Sequence, residues 1–173
     1  MKAHVGIHGN EIADRLAKEA TKNHHETYSR IPKSAIKRDN RQQSIRKWQS
    51  QWEKTTKGAV TKEFFPTVER RLAVNLKLNP KITTIMTGHG NIRFYLHRLK
   101  IIGCPECPCK HGIQTVDHLI FECERLVNER AKLKSSVVKV GKWPVNKSEL
   151  TNRHLKQLLT YINSIDLEKI NQV

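Results

Sequence analysis

The stretch CPECPCKHGIQTVDHLIFEC, residues 104–123, holds all four cysteines of the 173-residue chain together with His118. Thiols crowded in this way, in a chain expected to be intracellular, point to metal binding rather than disulfides, because the cell interior keeps them reduced. Cys104, Cys107, Cys109, His118 and Cys123 offer five ligands to an ion that usually takes four in a tetrahedron, and Zn²⁺ is the natural candidate. Cys104 and Cys107 stand at the common two-residue gap and Cys107 and Cys109 at a tighter one, so spacing leaves open which cysteine is spare. His118 and Cys123 lie five apart, which on a regular helix of 3.6 residues per turn is ~500° of rotation, about 140° off one face. The helix must therefore begin irregularly at His118 if both are to reach one ion. Four protein ligands would close the shell and leave no position for a catalytic water, making the site structural. The opposing reading takes Cys123 as a core thiol and His118 as an exposed helix residue.

The pattern around this stretch is helical. Thr115 suits the N-cap of a helix whose Leu119, Ile120, Cys123, Leu126 and Val127 form an apolar stripe. Downstream, Gly141 and Pro144 end that unit, and Leu150, Leu155, Leu158, Leu159, Ile162 and Ile165 predict one last amphipathic helix. Upstream, helices are expected over about 10–22, over 33–57 closing at Gly58, around Val68 to Leu78, over 81–88 and over 92–101, with TGHGN (87–91) as a turn. Residues 23–32 show no apolar period and end at Pro32, which predicts a linker. The fold class expected is mainly α. The core should be lean, since hydrophobic residues are 37% of the chain against a usual ~45–50%.

Charge narrows the function. The chain carries a formal +16, of which residues 33–103 contribute a net +12, whereas residues 111–134 sum to zero. One-sided charge of this size repels itself unless an anionic partner offsets it, and nucleic acid is the partner expected. Arg38, Arg41, Arg46, Lys47, Arg93, Arg98 and Lys100 are the candidate phosphate contacts. Trp48 and Trp52, spaced i, i+4, are expected to form a hydrophobic seam against another helix. No stretch approaches the ~18 apolar residues of a membrane span and no signal peptide is visible, so no membrane partner is expected and the chain should be intracellular, in nucleus or cytoplasm.

The first twenty residues carry a second motif. KAHVGIHGNEIADRLAKEA, residues 2–20, resembles the end of a type 1 ribonuclease H domain, where a short strand leads to a histidine, a glycine-containing loop and a helix bearing the last metal-binding carboxylate. The resemblance implies a catalytic pair: Asp14 as a Mg²⁺ ligand and His4 as the histidine that shuttles a proton or assists product release. Two-metal phosphodiester hydrolysis needs several carboxylates to hold two ions ~3.5–4 Å apart, and the family uses four. The other three precede this motif in the family, and Asp39, Glu53, Glu63 and Glu69 lie in settings unlike the missing strands. The expectation is a truncated α/β ribonuclease H fold, reduced to its terminal helix and inactive alone.

Taken together, the ribonuclease H terminus, the basic region with TGHG (87–90) and YLHRL (95–99), and the segment closing on Cys123 resemble the C-terminal end of the polyprotein of jockey-like non-LTR retrotransposons. The family pattern is Cys-x-Cys before the long gap, which favours Cys107, Cys109, His118 and Cys123 as a zinc-knuckle-like set with Cys104 as an extra. The organisation implied is a ribonuclease H remnant over 1–22, a linker over 23–32, a basic nucleic-acid-binding region over 33–103, a zinc segment over 104–134 and a helical tail over 135–173. The parent activity implied is Mg²⁺-dependent cleavage of RNA in RNA–DNA hybrids, with hybrid or DNA as partner. The alternatives are an inactive nucleic-acid-binding module and a transposon relic.

Overall fold

The structure, a computed structural model, describes residues 6–22 and 30–172. They are mainly helical, with no strand beyond one isolated antiparallel bridge between Glu106 and Ile113. Among the described residues no helix is long and apolar enough to cross a membrane. The chain divides into two compact units, with the boundary between Gln43 and Ser44.

In the first unit, α1 (His8–Ala20) is amphipathic, with Glu11 in its first turn where the helix dipole favours an anion. Glu11 also accepts from the Gly6 backbone N–H at 3.2 Å. No residue of α1 is buried, and Leu16 is 55% exposed. The following helix, α2 (Lys33–Lys54), crosses the boundary and is likewise without a buried residue. It ends before Gly58, whose left-handed conformation instead opens α3 (Ala59–Phe64).

The second unit is built from short helices stopped and started by local chemistry. Thr67 caps α4 (Val68–Ala73), and Asn79 followed by Pro80 caps α5 (Pro80–Thr87) by accepting from Ile82 N–H at 2.8 Å. Ile92 precedes α6 (Arg93–Arg98); Asn146 caps α8 (Lys147–Arg153), which follows α7 (Val127–Val138). The last helices are α9 (Leu155–Ser164) and α10 (Leu167–Asn171), the latter capped by Asp166. α7 packs on α9, α3 on α5 and α8, and α5 on α9. One core results, drawing Phe64, Ile85, Leu119, Ile120, Leu133, Leu150, Leu158 and Ile162 from the length of the unit. Cys107 and Cys123 belong to it.

Buried polar groups tie the packing together. Lys147, almost fully buried, pairs with Glu63 and with Asp117 at 2.6 Å, joining the start of α8 to α3 and to the turn before His118. Thr151 donates to the Phe64 carbonyl at 2.8 Å, and Arg70 donates to the Thr151 carbonyl at 3.1 Å.

Several expected elements differ in extent. The stripe through Val127 does not persist: the helix breaks at Cys123, a 3₁₀ turn over Glu124–Leu126 re-aims the chain, and Val127 is 54% exposed. The single helix expected through Leu150 to Ile165 is two, because the backbone at His154 leaves helical geometry, and α10 follows as a further helix after Ile165 and Asp166. The helix expected over 92–101 stops at Arg98, with Ile101 exposed beyond it. Of the tryptophan seam only Trp52 is packed: its indole donates to the Phe65 carbonyl at 3.2 Å, while Trp48 is 47% exposed.

Candidate metal centre

Two segments with no regular structure in common converge on one point. In the first, residues 105–114 fold back on themselves: Gln114 N–H donates to the Pro105 carbonyl at 3.0 Å, and Cys107 N–H donates to the Gly112 carbonyl at 2.8 Å. Lys110 N–H closes the tip on the Cys107 carbonyl at 2.8 Å. Lys110 and Gly112 both take positive φ, which allows so tight a reversal. In the second segment, Thr115 Oγ1 accepts from His118 N–H at 3.1 Å and starts a helical turn that then widens. Over His118–Glu122 it is π-type, and Cys123 N–H donates to the His118 carbonyl at 2.7 Å. This i to i+5 bond is the irregular start that the five-residue spacing requires: the wider turn brings Cys123 round to the side of His118.

The outcome is a cluster. The ligand atoms of Cys107, Cys109, His118 and Cys123 all lie within 4.8 Å of one another, and such a group could hold a metal ion. Cys109 Sγ is 3.2 Å from His118 Nε2, and Cys107 Sγ is 3.8 Å from Cys123 Sγ. Cys104 is exposed and outside the cluster; its carbonyl accepts from Arg93 at 3.2 Å.

Three neighbours complete the surroundings. Glu122 Oε2 lies 3.3 Å from His118 Nδ1, an acceptor that keeps the proton there and leaves Nε2 facing the thiols. Gln114, fully buried, approaches Cys107 Sγ with its amide nitrogen at 3.7 Å, donates to Asn171 at 2.8 Å and accepts from Arg93 N–H at 2.9 Å. Arg130 is 6% exposed, donates to the Cys123 carbonyl at 2.7 Å, has no carboxylate partner and leaves Nη1 without a hydrogen bond. Glu122 was within reach of sequence reasoning, standing i+4 from His118 on the same turn. Gln114 and Arg130 carry no local signal.

The thiols differ in acidity. Burial pushes the Cys107 thiol up. Burial and the adjacent Cys107 push Cys123 up to about 12. Burial alone would raise Cys109 as well, but the His111 backbone N–H, the Cys107 thiol and His118 outweigh it and bring Cys109 down to about 6.

The other candidate residues are dispersed. His4 lies outside the described residues. Asp14 is exposed on α1, in the first unit. Arg38, Arg41, Arg46 and Lys47 are exposed along α2, where Arg38 is 3.7 Å from Asp39. Arg93 is half-buried, its side chain and backbone tied to Cys104 and Gln114. Arg98 stands over the Tyr95 ring at 5.3 Å, and Lys100 is exposed at a φ of 61°.

A small helical unit organised round a Cys₃His cluster is thus the class that fold and site define. No family model matches the chain, and no solved structure does. Among curated proteins it is 30% identical over 159 residues to the retrovirus-related Pol polyprotein from type-1 retrotransposable element R1 of Popillia japonica, covering 88% of this chain and 61% of that protein. It is 33% identical over 81 residues to the R1 Pol polyprotein of Bradysia coprophila, covering 44% of this chain and 8% of the relative. It is 30% identical over 88 residues to the R1 4 Pol polyprotein of Nasonia vitripennis, covering 50% of this chain and 22% of the relative. The homologues of this chain are therefore Pol polyproteins of non-LTR, jockey-like retrotransposons, at modest identity, and the chain spans less than two thirds of their length.

The acidities predict an order of alkylation. In protein stripped of metal, iodoacetamide at neutral pH should modify Cys109 well before Cys107 and Cys123, with the Cys109 rate falling as pH drops through about 6. Peptide mass mapping reads this directly; Cys123 reacting ahead of Cys109 would refute the assignment.

Proposed function

We propose that this chain is a zinc-stabilised nucleic-acid-binding part of a retrotransposon Pol polyprotein. The observation that carries the reading is the closed Cys107–Cys109–His118–Cys123 cluster in a chain whose excess charge is basic and outward-facing. In this reading residues 33–103 face nucleic acid, 104–134 hold the ion and 135–173 cover the core behind it.

The residues fit Zn²⁺. A tetrahedron with Zn–S bonds of ~2.3 Å sets neighbouring sulfurs ~3.8 Å apart, and Cys107 and Cys123 stand at 3.8 Å. Three thiolates and a neutral imidazole round a divalent ion leave one net negative charge. Arg130, buried without a carboxylate, supplies its counterion; an uncompensated guanidinium there would be costly. Bound zinc would contribute folding energy, since it cross-links the 105–114 loop to the turn at His118. Glu122 orients the imidazole, and Gln114 offers an N–H to the Cys107 sulfur.

Nucleic-acid binding rests on charge and on kinship. Among the described residues Arg41, Arg46, Lys47, Arg98 and Lys100 make no ion pair, so their charge is free to meet phosphate. Arg93 and Arg98 flank the metal loop through α6, which is held to it by the Phe94 N–H to Gln114 carbonyl bond at 3.3 Å.

A second reading concerns α1. Its apolar positions are uncovered among the described residues, as for a helix that packs on a sheet supplied by another part of a longer protein. We infer that it closes a ribonuclease H-like domain in which Asp14 is one Mg²⁺ ligand.

Purified protein should contain one zinc per chain by elemental analysis. Cys123→Ser should lose the metal and melt well below the parent, whereas Cys104→Ser should keep both; equal metal in Cys123→Ser and parent would exclude the site. Binding to duplex DNA should weaken steeply with salt, with a log–log slope of about 0.9 per phosphate contact, and Arg41→Ala with Lys47→Ala should flatten it by up to about two contacts. Salt-insensitive binding would sink the proposal. In a full-length element protein bearing this segment, Asp14→Asn should reduce Mg²⁺-dependent hybrid cleavage at least tenfold without changing hybrid affinity; unchanged cleavage would remove α1 from any such site.

A further inference from the structure

The sequence motifs TGHG (87–90) and YLHRL (95–99) are far from the metal ligands in role, yet the fold brings them to one place. Residues of both line an open cleft of about 610 Å³ between the start of α3, the end of α5 and α6. Gly88 makes the cleft possible: its φ of 72° ends α5, and a Cβ there would stand 3.0 Å from Val60 Cγ2. The chain can therefore turn His89 back toward Tyr95, where the two rings lie 4.7 Å apart. Arg98 covers Tyr95 from 5.3 Å.

Phe94 is the unusual member. It lines the cleft, is 45% exposed and has neither an aromatic ring nor a cation on its face. Its backbone is tied to the metal loop, since its N–H donates to the Gln114 carbonyl at 3.3 Å. Two cations, Lys57 and Arg98, line the same cleft without ion pairs among the described residues. The one acid present, Asp117, is already engaged by Lys147 at 2.6 Å. An aromatic ring with no ring or cation partner among the described residues, beside cations without ion pairs and in a space of single-nucleotide size, matches a flat base carrying a phosphate. An apolar peptide would leave both cations unmatched, and a duplex keeps its base faces stacked within.

We propose that this cleft binds single-stranded nucleic acid, stacking an unpaired base on Phe94 and setting its phosphates against Lys57 and Arg98. The proposal rests on the nucleic-acid reading above and specifies which form of the polymer this face takes.

The test uses the full chain with its metal and two fluorescein-labelled probes, an oligothymidylate of about ten nucleotides and a blunt duplex of the same length. Phe94→Ala should weaken single-strand binding about tenfold, within the roughly five- to hundredfold range of aromatic truncations, and leave duplex binding unchanged. Phe94→Trp should retain affinity, and its added tryptophan fluorescence should be quenched when oligothymidylate binds. Single-strand affinity unaltered in Phe94→Ala, an equal loss on both probes, or an unquenched Phe94→Trp would overturn the cleft while leaving the broader reading standing. Failure of the parent chain to bind either probe would overturn both.

Discussion

The Cys123 N–H donates to the His118 carbonyl across five residues at 2.7 Å, and the widened turn it closes is the constraint on which the second unit depends. A regular helix would send His118 and Cys123 to different faces. With the turn widened, both meet Cys107 and Cys109 from a loop that is otherwise tied to α6 and α10 mainly through Gln114. The same break ends the helix at Cys123, so the chain can re-aim through Glu124–Leu126 and lay α7 against α9. Leu119 and Ile120, on the turn itself, are fully buried, and the Tyr161 hydroxyl donates to the Leu119 carbonyl from α9. Local backbone geometry, ligand convergence and core packing are thus one arrangement.

Charge is disposed round that arrangement in two ways. Inside, Arg130 and Lys147 are buried cations with different solutions. Lys147 is matched by Glu63 and Asp117, whereas Arg130 donates to the Cys123 carbonyl and makes no ion pair among the described residues. Outside, the basic residues of α2 and α6 remain mostly unpaired, and repulsion among them is tolerable because the side chains reach into solvent. A lean apolar composition suits this design, since an ion can take over part of the work of a larger core.

Much of the local structure was legible. The His118–Cys123 spacing demanded an irregular turn, Thr115 was readable as a cap, and the helix expected over 81–88 is α5 to within a residue at each end. Each of these depends on a few adjacent residues. Helix lengths were less legible: the hydrophobic period from Leu150 to Ile165 is sustained, yet His154 interrupts the backbone and divides the segment into α8 and α9. Periodicity reports which side of a segment is apolar and is blind to where the surface it packs on bends away. Trp48 and Trp52 illustrate the same limit, sharing a face by spacing while only Trp52 finds a neighbour.

By itself the sequence determined the candidate ligand types, the sign and location of the charge, and the helical class, because ligand chemistry, ionisation and apolar period are properties of residues and their near neighbours. Tertiary structure alone decided that Arg130 is buried against the Cys123 carbonyl, that Gln114 joins the metal loop to α10, and that His89, Phe94 and Arg98 line one cleft. Those outcomes rest on contacts between segments distant along the chain. Their geometry follows from how the helices pack, which no local pattern encodes.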